Sequence, residues 1–429
     1  MSLDPSLRQR IAESVDAGFD AQVAFTQELV RRPSTRGNEH SVQDFMARAL
    51  RQRGMDVDVF AMDGEAIARH PGGSRISETH SKAPIVVGIH RPRKETGRSL
   101  ILQGHVDVVP QGPHDMWATP PFDPVIRDGW MHGRGAGDMK AGVASAVFAL
   151  DALRRIGLQP AATVYMQSVV EEESTGNGAL MTHLRGYRAD AALVPEPGHE
   201  GLTRANLGVL WFELEVRGIP VHVANMGTGA NAIDAAYRVV GALRQLEERW
   251  NAEAKSHPLF GSVNHPLNLN IGKIAGGDWA SSVPAWCRID CRIAFLPGTP
   301  AADAARQIEA CVADFARTDP FLSNNPPRVN FNGFFVEGYE LARGSAAERV
   351  LEEAHRSVMG NALEDRLVTA YLDARVYALY DHIPVLNYGC IAENYHGFDE
   401  RVNLESVKRT TAVIAQFIAG WCGVEPLQD

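Results

Sequence analysis

The sequence predicts an α/β fold: a mixed-sheet α/β domain with a smaller ferredoxin-like α+β domain inserted in it. Three observations carry this reading. The chain has 429 residues, too many for one ordinary core, and its 45% apolar and 22% charged content is that of a globular protein. Through the first half, short apolar runs alternate with stretches of helical periodicity, the pattern of strands joined by crossover helices. From about Leu207 the order of elements becomes β-α-β-β-α-β, which is the ferredoxin-like succession.

Taken in order, Ile11, Val15, Phe19, Val23, Phe25, Leu29 and Val30 recur at helical spacing between about Arg8 and Arg32, and Pro33-Ser34-Thr35 stops that helix. Ser41 is placed to cap a second helix running through Phe45, Met46 and Leu50 toward Gly54. Val57–Phe60 and Ile85–Ile89 read as strands, as does the apolar run Ser99–Gln103, which leads into Gly104-His-Val-Asp-Val-Val-Pro110. A long loop rich in Pro, Gly and Trp then spans Gln111 to Gly135, a length that tends to be functional. Gly133-Arg-Gly-Ala-Gly-Asp-Met-Lys-Ala-Gly142 follows and opens an Ala- and Val-rich helix from Ala141 to about Arg155. Strands at Thr163–Val170 and Ala191–Val194 end in Glu171-Glu172-Glu173 and Pro195-Glu196-Pro197.

The insert reads as a strand at Val209–Val216, a helix at Ala232–Trp250, strands near Leu267–Ile274 and Arg288–Ala294, a helix at Ala301–Thr318 and a strand near Arg328–Phe331. From about Gly338 the chain returns to the larger domain, with helices at Ala346–Met359 and Leu404–Trp421 and an apolar run at Val385–Tyr388. There is no internal repeat and no low-complexity segment.

Bulk properties exclude several classes. A net charge of -10 argues against nucleic acid as a main partner. No run approaches the ~20 apolar residues of a membrane span. Met1–Asp20 is polar and acidic with no apolar core, so no secretory signal is read there. Five cysteines, odd in number and scattered, suit a reducing cytoplasm better than a disulfide framework. Cys287 and Cys291 lie in a strand-like context and are read as packing residues.

The chemistry gathers at strand ends. In a strand, residues two apart share a side, so Asp107 can meet His105, either behind a metal-bound imidazole or in a purely structural contact. Asp138 stands where it can cap a helix, but a cap does not explain the dense glycines before it, which permit close backbone approach. Three consecutive carboxylates at Glu171–Glu173 are either a solvated face or a group that something cationic neutralises. In open α/β sheets, ligands bind beyond the carboxyl ends of the strands. His105, Glu172, Glu173 and Glu196 all follow apolar strands, and with Asp138 they make a site for a divalent metal. The mixed His/carboxylate set suits zinc, cobalt or manganese better than calcium or magnesium.

These segments resemble the M20 family of metallopeptidases and deacylases, which includes acetylornithine deacetylase, succinyl-diaminopimelate desuccinylase and carboxypeptidase G2-like enzymes. The resemblance covers nearly the whole chain. It is most specific in Gly104–Pro110, Trp117, Pro121-Phe122, Gly133–Gly142, Glu171–Glu173, Pro195–Pro197 and His396-Gly-Phe-Asp-Glu-Arg-Val402. It implies a zinc-peptidase-like catalytic domain made of residues 1–207 and 335–429, with a lid and dimerisation domain at 208–334. It further implies two divalent metal ions, zinc with cobalt or manganese as alternatives, that share Asp138. One would be held by His105 and Glu196, the other by Glu173 and His396. Glu172 would be the general base and Asp107 the partner of His105. The Asp138-Met139 peptide would be cis. His222 would reach across a homodimer into the partner's site, Asn231 follows the same motif, and Arg292 would bind a substrate carboxylate, with a salt bridge to Asp290 as its alternative. The remaining histidines are read as surface or structural.

Two departures touch substrate recognition. Ser281-Ser282-Val283-Pro284 stands where many members have Asn-Val-Val/Ile-Pro, and the segment from Pro284 to Arg292 is short; Gly389-Cys390 replaces a common Gly-Pro. The resemblance implies a cytoplasmic, homodimeric, dinuclear amidohydrolase that removes the acyl group from a small N-acyl amino acid-like substrate. A dipeptidase or carboxypeptidase, a deformylase of a heterocyclic amide, and a non-catalytic metal-binding scaffold are the alternatives.

Overall fold

The structure is a computed structural model and describes residues 3–427. Met1 and Ser2, part of the stretch read as lacking a secretory signal, and Gln428 and Asp429, the end of the expected 335–429 segment, lie outside the described residues. Among the described residues, no helix is long and apolar enough to cross a membrane.

The larger sheet has six strands in the spatial order Asp56–Phe60, Ile85–His90, Val164–Val169, Leu100–His105, Ala191–Val194, Val385–Asn387. The last four run parallel, with His105 opposite Val169 and Leu102 opposite Leu193, and the first two are antiparallel to their neighbours. The sheet is therefore mixed. Parallel strands are covered on both faces, so they read as unbroken apolar runs; Leu100–His105 is buried at every residue. Because these strands are parallel neighbours, their carboxyl ends share one rim, and the residues that follow them are brought together there.

Helices Pro5–Val30, Ala141–Arg155 and Leu404–Cys422 pack on one another beside this sheet. The first is capped by Asp4, whose carboxylate accepts the Ser6 N–H at 2.8 Å. Its last turn is tied by Lys140, a fully buried side chain whose Nζ donates to the carbonyls of Leu29 at 2.9 Å and Arg32 at 3.0 Å.

The second sheet has the order Leu269–Gly276, Trp286–Phe295, Gly208–Arg217, Arg328–Val336, all antiparallel, with helices Ala232–Ala254 and Ala301–Thr318 packed on it. That is the expected ferredoxin-like order. Leu210, Phe212, Leu214 and Val216 alternate toward a separate core with residues of both helices. The last strand runs to Val336 rather than to about Phe331. A bulge opposite Leu210 and Phe212 interrupts its alternation, which hid its second half.

Three further readings are corrected. The stretch Gln111–Gly135 is not an unstructured loop: Val125–Arg127 and Trp130–His132 form a hairpin that joins Arg401–Asn403 and Ala392–Glu393 in a four-stranded sheet. The signal was present, since Asp128 (φ 49°) and Gly129 (φ 78°) make the left-handed pair a tight hairpin turn requires. The second helix begins at His40, so Ser41 does not cap it; the boundary residue Glu39 is buried and accepts from Ser81 Oγ at 2.8 Å. Asp138 lies within an irregular turn, Ala136–Lys140, ahead of the helix rather than at its cap, and the Asp138-Met139 peptide is cis.

Candidate metal centre

His105 ends its strand fully buried. Its Nδ1 lies 3.0 Å from the backbone oxygen of Asp107, so that nitrogen carries the proton and Nε2 is left facing the site. Nε2 lies 3.1 Å from Asp138 Oδ1, 3.7 Å from Glu196 Oε1 and 3.9 Å from Glu172 Oε2. The Asp107 carboxylate is farther from the imidazole than its own carbonyl, at 3.6 Å, and its Oδ2 accepts the Glu173 N–H at 3.1 Å. Asp107 thus ties two strand ends together as well as meeting His105.

On the other side, His396 Nε2 lies 3.0 Å from Glu173 Oε2 and 3.4 Å from Asp138 Oδ2. Asp138 therefore faces both imidazoles with its two oxygens. Three trios of donor atoms fall within 4.8 Å: His105, Asp138 and Glu196; Asp138, Glu173 and His396; and His105, Glu172 and Glu173. The first two coincide with the two expected metal positions. The third includes Glu172, which lies close enough to the donors to act on whatever they hold.

Glu172 and Glu173 are aimed here by Glu171, which takes a left-handed conformation (φ 68°) at the end of its strand. The Glu171 carboxylate turns away from the site and is fully buried. It accepts from Arg36 Nε at 2.7 Å and Nη2 at 2.8 Å, from the Ser81 N–H at 2.7 Å and from Thr175 Oγ1 at 2.8 Å. Arg36 is the cation that neutralises part of the carboxylate run.

Burial pushes Glu172 and Asp107 well above the usual carboxylate range, and Glu196 up to about 7. Burial works in the same direction at Asp138, but hydrogen bonds with His105 and His396 outweigh it and hold that carboxyl low. The Glu173 carboxylate pushes His396 up to about 11. At His105 burial opposes the charge, and the Glu196 and Glu172 carboxylates overcome it.

Five carboxyls and two imidazoles share one largely buried cluster, and without cations the carboxyls Glu172, Asp107 and Glu196 hold their protons more tightly than usual because their charges would stand uncompensated there. Ionised together, these carboxylates call for cations beside them. Glu196 Oε1 is also buried without a hydrogen-bond partner. Oxygen donors mixed with imidazole nitrogen fit zinc, cobalt or manganese. The residues present fit two divalent cations.

The other expected site residues lie elsewhere. His222 is exposed at the start of a short turn in the second sheet's domain, where its Nδ1 accepts the Ala224 N–H at 3.1 Å. Asn231 caps helix Ala232–Ala254, accepting from Ile233 N at 2.9 Å and Asp234 N at 3.3 Å, a local turn bond. Arg292 makes no salt bridge to Asp290, whose carboxylate instead lies 3.9 Å from Lys273 Nζ. Its guanidinium donates to the Thr369 carbonyl at 3.0 Å and the Asn268 carbonyl at 3.4 Å, and burial lowers its pKa to about 10.

Sequence reasoning missed several supporting groups. Asp373 is buried, accepts from Gln103 Nε2 and Tyr371 Oη at 2.8 Å each, and is pushed by burial up to about 6. Glu400 and Lys140 lie within the family-like segments without a task that the sequence reveals, and Arg36 lies outside them; no local pattern marks a residue whose partner is far away in sequence.

A family model described as Peptidase family M20/M25/M40 matches residues 101–420. The chain is 25% identical to an N-formyl-4-amino-5-aminomethyl-2-methylpyrimidine deformylase of Halalkalibacterium halodurans over 97% of this chain and 98% of that protein. It is 29% identical to a succinyl-diaminopimelate desuccinylase of Stenotrophomonas maltophilia over 68% of this chain and 73% of that protein. Among solved structures it resembles human carnosine dipeptidase 1 with a TM-score of 0.77 at 16% identity, over 97% of this chain and 99% of that one.

Proposed function

This chain belongs to peptidase family M20/M25/M40, metal-dependent hydrolases of amide or peptide bonds, and we propose that it removes the acyl group from a small N-acyl amino acid-like substrate. The observation that carries the reading is the pair of donor trios sharing Asp138, with Glu172 beside them. His105, Asp138 and Glu196 would hold one divalent ion and Asp138, Glu173 and His396 the other, with zinc as the first choice and cobalt or manganese as alternatives. When bound, such ions lower the pKa of water and polarise a carbonyl.

The chain's own residues supply the rest. Glu172, kept proton-seeking by burial, takes a proton from the attacking water and delivers it to the departing nitrogen. Asp107 holds the His105 ring through its carbonyl and the Glu173 backbone through its carboxylate. Arg292, half-buried and bound only to carbonyls, is suited to a carboxylate on the substrate.

His222 would act from the partner of a homodimer as a donor to the developing oxyanion. Support for the dimer comes from the surface around it. Met226, Trp279 and Ile274 are large, apolar and exposed, and the edge strand Leu269–Gly276 is unpaired on one side. The separate core of the second sheet supports the division into 1–207 with 335–429 and an inserted 208–334. All five cysteines are free thiols, which supports a cytoplasmic setting.

A second reading, deformylation of a heterocyclic amine, is favoured by one observation: the pyrimidine deformylase relative aligns over nearly the full length of both chains. The test is hydrolysis by zinc-, cobalt- and manganese-reconstituted protein of matched N-acetyl, N-succinyl and N-formyl amino acids, an N-formyl aminomethylpyrimidine and dipeptides. Turnover confined to N-acyl amino acids supports the first reading. Turnover confined to the formylated pyrimidine supports the second, and turnover confined to dipeptides refutes both.

A further inference from the structure

Asp138 and His396 come from loops far apart in sequence, yet they face the same donor trio. Neither lies on a rigid strand. Asp138 sits in a glycine-rich turn, and the His396 side chain is 54% exposed. Something must set the distance between these two loops.

The Glu400 side chain joins them. It is buried, at 1% exposure, four residues after His396. Its Oε1 accepts the N–H groups of Gly137 at 2.9 Å and Asp138 at 3.0 Å. Its Oε2 accepts the Gly135 N–H at 3.0 Å and Arg134 Nη1 at 2.6 Å. Arg134 closes the clamp, since its Nη2 donates to the Gly397 carbonyl at 2.9 Å, beside His396. The Glu400 backbone adds a further tie, its carbonyl accepting the Gly133 N–H at 2.9 Å. The glycines have a reason to be there: a Cβ on Gly137 would lie 2.6 Å from Ala392 Cβ, so only glycine lets the loop close on the carboxylate. Glu400 points into the loop backbone and not toward the donor atoms.

We infer that Glu400, with Arg134, is a positioning residue that sets the spacing of Asp138 and His396 and so the affinity of the Asp138–Glu173–His396 trio for its metal. The inference rests on the reading that the two trios hold metal ions. It separates the two positions. His105 and Glu196 are carried by strand ends that Glu400 does not touch, so that trio loses the support of one ligand loop. The other trio loses the support of two.

The test is a titration of metal-stripped full-length protein with cobalt(II), followed by calorimetry and by the visible absorption of the bound ion. The wild type is expected to take up two equivalents. Glu400→Gln, which presents an amide NH2 to backbone donors, is expected to bind the first equivalent near the wild-type affinity and the second roughly 10- to 100-fold more weakly. The increase in melting temperature on saturation shrinks accordingly. Arg134→Lys keeps the charge but not the fork, and is expected to move the second equivalent in the same direction; it decides the matter if Glu400→Gln does not fold. A merely structural role lowers the melting temperature of stripped and loaded protein alike and leaves both affinities unchanged, which overturns the inference. A wild type that binds no cobalt overturns the metal-centre reading itself, and this inference with it.

Discussion

Replacing Arg36 with methionine keeps most of the side-chain volume and removes the charge that faces Glu171. The Glu171 side chain is 0% exposed and Arg36 23% exposed, with two charge-assisted hydrogen bonds of 2.7 and 2.8 Å between them. Hydrogen bonds to charged groups contribute about 1.5–3 kcal/mol each. Removing one partner of a buried pair costs about 3–5 kcal/mol, because the other charge is stranded. Two features place this case at the lower end. The Ser81 N–H and Thr175 hydroxyl still bond the carboxylate, and the partial exposure of Arg36 lets water reach the vacated side. The expected loss is therefore about 3 kcal/mol. Urea denaturation of metal-loaded protein should show a lower midpoint at unchanged m-value. Arg36→Met combined with Glu171→Gln should recover part of the loss, since no unpaired charge then remains. Because Glu171 turns the chain into Glu172 and Glu173, kcat should fall as well at temperatures where the variant is folded. Unchanged midpoint and unchanged kcat in Arg36→Met would refute the reasoning.

Other consequences can be checked with equal directness. Glu172→Gln should lower kcat by about 10²–10⁴-fold with bound metal retained, as expected for a lost general base; wild-type turnover would remove that assignment. In metal-free protein, burial raises the Glu196 pKa to about 7 from the 4.5 of an ordinary glutamate, so the folded state binds the extra proton. The stability due to this group is full below about pH 4.5 and is lost as pH rises through about 7. Denaturation of stripped protein across that window should show the decline, and metal loading should abolish it. His222→Ala and Glu172→Gln should each be nearly inactive alone. If His222 serves the partner's site, mixed and re-associated variants should regain about a quarter of wild-type activity; no recovery would place His222 outside the partner's chemistry.

Much of the candidate metal centre is legible in the sequence because most of its proposed residues follow apolar strands. His105, Glu172, Glu173 and Glu196 were marked by the runs that precede them, and parallel pairing brings those ends to one rim. Asp138 was marked by glycines. His396 was not visible in any pattern and came only from family resemblance, since its loop has no periodicity and follows no long strand. The supporting groups were illegible for a different reason. Arg36 meets Glu171 and Glu400 meets Asp138 across 135 and 262 residues, and periodicity reports only on near neighbours. Three-residue strands such as Val125–Arg127 are too short to show alternation, although Asp128-Gly129 announced their turn. The bulge in Arg328–Val336 breaks its alternation and hides the strand's second half from the sequence.

The claim that two metal ions share Asp138 is tested most directly by zinc content per chain, measured with turnover, in wild type, Asp138→Ala and His396→Ala. The account expects two ions in the wild type, loss of both with activity in Asp138→Ala, and selective loss of one in His396→Ala. Asp138→Ala that keeps two ions and wild-type turnover would contradict it.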